Sequence, residues 1–129
     1  MEAQDDPRLQ KGIDEFNQGL FFECHETLEE IWQEDHGEDR LFYQGIIQIA
    51  AAFHHYSRGN ARGAHSLLQA ALGRLARFPD VHHGIALGAL RAAAQEWAAA
   101  LAAGRNPRPE DPVPQIEFAG NDCSTAGHI

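Results

Sequence analysis

Apolar residues that recur every three or four positions, in blocks each closed by glycine or by Phe-Pro, constrain this chain more than any other feature. Phe21, Cys24, His25, Leu28, Ile31 and Trp32 share one face at helical spacing, with Glu23, Glu26, Glu30 and Glu34 opposite. That pattern predicts an amphipathic helix over 21–35, ended at Gly37. Upstream, Asp6-Pro7 reads as an N-cap with proline at the first helical position, opening a helix that runs to about Asn17 before Gly19. Downstream, Phe42, Ile46, Ile49, Phe53 and Tyr56 line the apolar face of a central helix over about 39–58, stopped by Gly59. Asn60 is placed to cap a fourth helix with the stripe Ala64, Leu67, Leu68, Ala71 and Leu75, closed by Phe78-Pro79. Asp80 then precedes an alanine-rich fifth helix over about 83–103, with Ala86, Leu90, Ala94, Trp97 and Leu101 on one seam. No segment reads as a strand.

An internal repeat organises these helices. Residues 16–30 laid over 56–70 match Gly19 to Gly59, Cys24 to Ala64, His25 to His65 and Leu28 to Leu68. A glycine at the turn and a small residue five positions later, where two helices touch, are features of tetratricopeptide-like hairpins. Two hairpins are too few for a solenoid, which needs about three repeats. The expected fold is therefore all-α: two stacked helical hairpins closed by a fifth helix. At 129 residues the chain is expected to form one domain, over 1–104, followed by a proline-rich tail over 105–129 that carries four of the six prolines. Val113, Ile116 and Phe118 are candidate anchors of that tail to the body.

Charge narrows the function classes. Thirteen of the nineteen acidic residues lie in 1–43, against three bases, and the formal net charge is −9. Arg58, Arg62, Arg74, Arg77 and Arg91 form only a weak basic stretch, so neither nucleic acid nor an anionic membrane is an expected partner. Apolar runs such as residues 49–53 fall far short of the about 20 residues that span a bilayer. The N-terminal residues lack the basic and apolar stretches of a signal peptide, and Cys24 and Cys123 form no CxxC. A cytoplasmic location with free thiols is the expectation.

The candidate chemistry lies on the second and third helices. His25 and Glu29 stand one turn apart at the edge of the apolar stripe, and Trp32 continues the line. On the third helix Arg40, Gln44, Gln48, Ala51, His55 and Arg58 share a narrow seam. If the two lines meet, His25, Glu29, Trp32, Gln44, Gln48 and His55 line a polar cleft. His25, Glu29 and His55 would then supply two imidazoles and one carboxylate, the ligand count of an open divalent-metal site. Taken singly, each residue also suits a plain role: a boundary histidine, a solvated carboxylate, a core aromatic. Residues 25–29 read H-E-x-x-E rather than H-E-x-x-H, and no Glu-x-x-His pair occurs, so neither a zincin nor a di-iron bundle is supported. The pairs His54-His55 and His82-His83, read as helical neighbours, face apart, which makes His83 incidental.

The segments FNQGLFFECHETLEEIW (16–32), RLFYQGIIQIAAAFHH (40–55) and RGNARGA (58–64) together resemble the helical family catalogued as domain of unknown function 309, over about residues 12–103. The resemblance implies an all-helical fold and a small cytosolic protein, and it supplies no mechanism. The family's polar pattern falls on His25, Glu26, Glu29, Trp32, Gln44, Gln48, His55, Asn60 and Gly63; Cys24 is a mild departure. Three functional readings follow. The first is a binding module whose cleft takes a small ligand or a segment of another protein, with Trp32 as floor and Gln44 and Gln48 as hydrogen-bonding groups. The second is a divalent-metal-dependent hydrolase using His25, Glu29 and His55, with Glu26 or a bound water as base. The third is a purely structural protein-protein interaction module. The small-residue seam of the fifth helix offers a basis for homo-oligomers.

Overall fold

The computed structural model describes residues 6–104 and 114–118 and is built almost wholly of helices: α1 (Pro7–Asn17), α2 (Phe21–Glu34), α3 (Asp39–Ser57), α4 (Ala61–Leu75) and α5 (Leu87–Ala102). Asp6 caps α1 as its sequence position suggests, its side chain accepting from the Arg8 backbone N–H, with Pro7 at the first turn. Each helix packs on its neighbours in sequence, so α1/α2 and α3/α4 form two antiparallel hairpins and α5 closes against α4.

The repeat is visible in the backbone hydrogen bonds of the two hairpin turns. Gly19 and Gly59 both adopt left-handed conformations, with φ of 82° and 84°. Leu20 N–H reaches back to Glu15 carbonyl at 2.9 Å, and forty residues on Asn60 N–H reaches His55 carbonyl at 2.9 Å, the six-to-one bond of a Schellman turn. Cys24 and Ala64, the small residues five positions beyond each glycine, are buried, as are Leu28 and Leu68. One steric solution to joining two close-packed helices is thus used twice.

α3 is the central element. Phe42, Tyr43, Ile46, Ile49, Ala50 and Phe53 are all buried on it, which places apolar contacts on more than one side of the helix. Gly45 permits the approach of α4: a Cβ built there would lie 2.6 Å from both Cγ and Cδ2 of Leu75. On the other side, Phe16, Phe21 and Phe53 meet within 5.2–6.2 Å of one another, and Trp97 of α5 packs edge-on against Phe53 at 5.0 Å.

Residues 81–86 depart from the sequence expectation of an unbroken fifth helix. They form a minimal antiparallel hairpin, β1 (Val81–His82) and β2 (Ile85–Ala86). Its two-residue turn, His83-Gly84, has both φ values positive, 51° and 77°, as a type I′ turn requires. The hairpin is held from both sides. Arg91 donates to the Leu75 and Phe78 carbonyls and to Asp80, tying the end of α4 to the hairpin entry. Ala86 N–H donates to Glu117 carbonyl at 2.8 Å, and Ile85 bridges Phe118. Asn17 clamps the same C-terminal segment, donating to Ile116 carbonyl and accepting from Ile116 N–H. Of the expected tail anchors, Ile116 is buried and Phe118 half-buried, while Val113 lies outside the described residues, as does Cys123.

Candidate functional site

Antiparallel packing of α2 on α3 brings the two polar lines together at their two ends. At one end, His25 joins Phe21, Phe22, Ala51, His54 and His55 around a cavity of about 180 Å³. At the other, the Arg40 guanidinium lies over the Trp32 ring, 3.9 Å from its centroid, and Arg40 Nε donates to the Trp32 carbonyl. Glu29 on α2 and Gln44 and Gln48 on α3 lie between these ends in sequence. All six sequence-derived candidates, His25, Glu29, Trp32, Gln44, Gln48 and His55, are half-buried, which a solvent-facing seam would not be.

Three polar atoms of α2 and α3 are buried and have no hydrogen-bond partner among the described residues: His25 Nδ1, Trp32 Nε1 and Gln48 Oε1. Buried polar atoms are usually satisfied, and leaving one unpaired costs about 1–3 kcal/mol. Their chemistry is complementary: Trp32 N–H only donates, Gln48 Oε1 only accepts, and His25 Nδ1 does either according to tautomer.

Phe22, missed in the sequence, is 51% exposed, and its ring stacks on His25 at 6.3 Å and leans on His54 at 5.8 Å. The doublet Phe21-Phe22 carried the signal, because adjacent helical residues diverge by about 100° and both rings cannot enter one stripe. Leu20, also exposed, sits beside it in sequence at the same turn.

The expected metal set is not assembled. Among the described residues, the group of three histidine or carboxylate donors whose atoms all lie within 4.8 Å is Asp39, His82 and His83, and not His25, Glu29 and His55. His55 is directed to the α3–α4 turn instead. There Asn60 Oδ1 accepts from Gly63 N–H at 2.9 Å in the expected cap, which turns Asn60 Nδ2 toward His55 Nδ1 at 3.2 Å. The cap thus fixes the amide, and the amide makes His55 Nδ1 an acceptor.

His83 is correspondingly not incidental. Because residues 82–83 lie in a hairpin rather than a helix, both imidazoles reach one carboxylate: His82 Nε2 lies 2.8 Å from Asp39 Oδ1, and His83 Nε2 lies 2.8 Å from Oδ2. Partial burial pushes the Asp39 carboxyl upward, but the two imidazoles outweigh it and hold the group below the usual carboxylate range. Cys24 lies inside the helix junction, where burial pushes its thiol up to about 12, consistent with a packing role rather than a nucleophile.

Comparison with known proteins bears out the resemblance. The family model described as "Domain of unknown function (DUF309)" matches residues 9–67. An uncharacterized protein of Aquifex aeolicus (strain VF5) is 37% identical over 82 residues, covering 63% of this chain and 25% of its own length. The uncharacterized protein YpuF of Bacillus subtilis (strain 168) is 47% identical over 49 residues, 37% of this chain and 28% of its own length. The chain thus spans about a quarter of the length of these curated relatives.

Proposed function

From a chain whose DUF309 match over residues 9–67 contains the whole of α2 and α3, we propose a cytosolic binding module that holds a segment of another protein in a groove between these helices. The single observation that carries this reading is the set of three unpaired buried atoms on His25, Trp32 and Gln48. A peptide offers backbone carbonyls for the Trp32 N–H and backbone N–H groups for Gln48 Oε1, and pairing them requires side-chain movement that exposes these buried atoms.

The size of the cavity favours a segment over a free small molecule. At about 180 Å³ it falls below the roughly 300–1,000 Å³ of sites that enclose a drug-sized ligand, but it suits one anchoring side chain. Exposed Phe22 supplies apolar surface for the rest of the contact. In this reading Trp32 and Phe22 give area, Gln44 and Gln48 give direction, and Glu29 with His25 sets charge preference at the rim.

The test is a screen of capped amides and short peptides by ligand-observed NMR against the full chain, repeated on Gln48→Leu and His25→Ala. Binders that are retained by neither variant support the groove. Binders retained equally by both variants, or no binder at all, count against it.

A further inference from the structure

We infer that Asp39, His82 and His83 form a binding site for a divalent transition-metal ion, separate from the α2–α3 groove. The donor set is two imidazoles and one carboxylate, which suits Zn²⁺, Co²⁺ or Fe²⁺ far better than Mg²⁺ or Ca²⁺. Its three members come from two distant parts of the chain, the first turn of α3 and the β1–β2 hairpin, where His82 ends β1 and His83 begins the turn.

Convergence of the two histidines needs an uncommon backbone. Successive residues of an ordinary strand point to opposite faces. Here His83 takes φ of 51°, a conformation that non-glycine residues seldom adopt, and its ring comes to lie 4.4 Å from that of His82 on the same side. Aromatic neighbours fix both: Phe42 packs edge-on against His82 at 4.8 Å, and Tyr43 stacks on His83 at 6.2 Å. Side-chain exposures of 21%, 13% and 28% for His82, His83 and Asp39 leave the cluster reachable from one side.

Distances fit an ion after a small adjustment. Metal–nitrogen and metal–oxygen bonds of about 2.0–2.1 Å at a tetrahedral centre put neighbouring ligand atoms about 3.3 Å apart. One donor atom from each residue lies within 4.8 Å of the other two, while the imidazoles sit 2.8 Å from different Asp39 oxygens, so ion binding requires the three side chains to rotate until one set of donors reaches that spacing. Asp39 and His82 also line a cavity of about 400 Å³ with Glu38, Arg77 and Phe78, which gives room for water or an anionic ligand to complete the shell.

The test is titration of the chelator-treated full chain with Zn²⁺ and, for its spectrum, Co²⁺. His83→Asn is the informative variant, because asparagine followed by glycine suits a type I′ turn and keeps the hairpin while deleting the imidazole. The expected result is one equivalent of metal, with affinity at least about 100-fold weaker in both His83→Asn and Asp39→Asn and unchanged in His65→Gln, since losing even an outer-shell partner costs 10–100-fold. In the wild-type chain, Co²⁺ should shift the ring protons of His82 and His83, a readout independent of any variant's folding. Absence of stoichiometric binding, undiminished affinity in both variants, or paramagnetic shifts centred on other histidines would each overturn the assignment.

Discussion

Replacing Gln48 by leucine should stabilise the unliganded protein while removing a contact needed for binding. Gln48 Oε1 is buried and has no partner among the described residues. Relief of an unsatisfied buried acceptor is worth about 1–3 kcal/mol, and leucine fills a similar volume with apolar atoms. Against this stands the loss of any hydrogen bond made by the amide NH₂, about 1 kcal/mol. The net expectation is a gain of about 1 kcal/mol, which raises the unfolding midpoint by about 4 °C for a domain of this size. Thermal and urea unfolding of wild type and Gln48→Leu, both free of ligand, measure it. A loss of more than about 1 kcal/mol would refute the reasoning, because it would mean that Gln48 Oε1 is already satisfied in the folded chain.

Three further outcomes follow from the packing and the charges. Gly45→Ala should destabilise by about 1 kcal/mol net: the helix gains about 1 kcal/mol of propensity, but the new methyl meets Leu75 at 2.6 Å and overpacking costs about 1–3 kcal/mol. Combined with Leu75→Ala in urea melts, it should show favourable coupling, and simple additivity would contradict the close approach. Hydrogen bonds from Arg8 hold the Asp6 and Glu34 carboxyls below their ordinary values of 3.8 and 4.5, so the α1–α2 clamp contributes stability above about pH 4.5 and loses it as pH falls through the lowered folded values. The urea midpoint should fall in that window less steeply in Arg8→Gln, and less steeply in high salt; identical profiles would contradict it. In a Cys123→Ser background, Cys24 should resist iodoacetamide at pH 8 until urea unfolds the chain, since burial pushes its thiol up to about 12; rapid labelling of the native protein would contradict its placement.

Much of the architecture was legible because it rests on local rules. Glycines at 19 and 59 mark left-handed turns, Asn60 marks a cap, and the 3.6-residue period marks the faces of α2 and α3. The forty-residue offset even anticipated paired turn geometry. Residues 81–86 were not legible, since two-residue strands are too short to show alternation and His-Gly is not among the strong turn pairs. Their pairing also depends on Glu117 and Phe118, more than thirty residues away, a tertiary contact that periodicity does not encode. The same blindness hid the Asp39–His82–His83 cluster. Packing of α2 on α3 could be anticipated from the stacking of two successive hairpins, but the turning of His55 toward Asn60 could not, because it follows from which way a capping amide points.

The two tryptophans permit the most direct test of the groove. Trp32 N–H has no partner among the described residues, whereas Trp97 is half-buried and packs against Phe53 and Tyr56 at 5.0 and 5.3 Å at the edge of the core. Their indole N–H resonances, followed in ¹H–¹⁵N spectra during titration with the peptide and amide set, report the groove and the core separately. A binding groove requires the Trp32 indole resonance to shift saturably, together with the Gln48 side-chain amide, while Trp97 stays in place. A Trp32 resonance that does not move under any member of the set, or shifts confined to residues away from α2 and α3, would contradict the groove as the binding site.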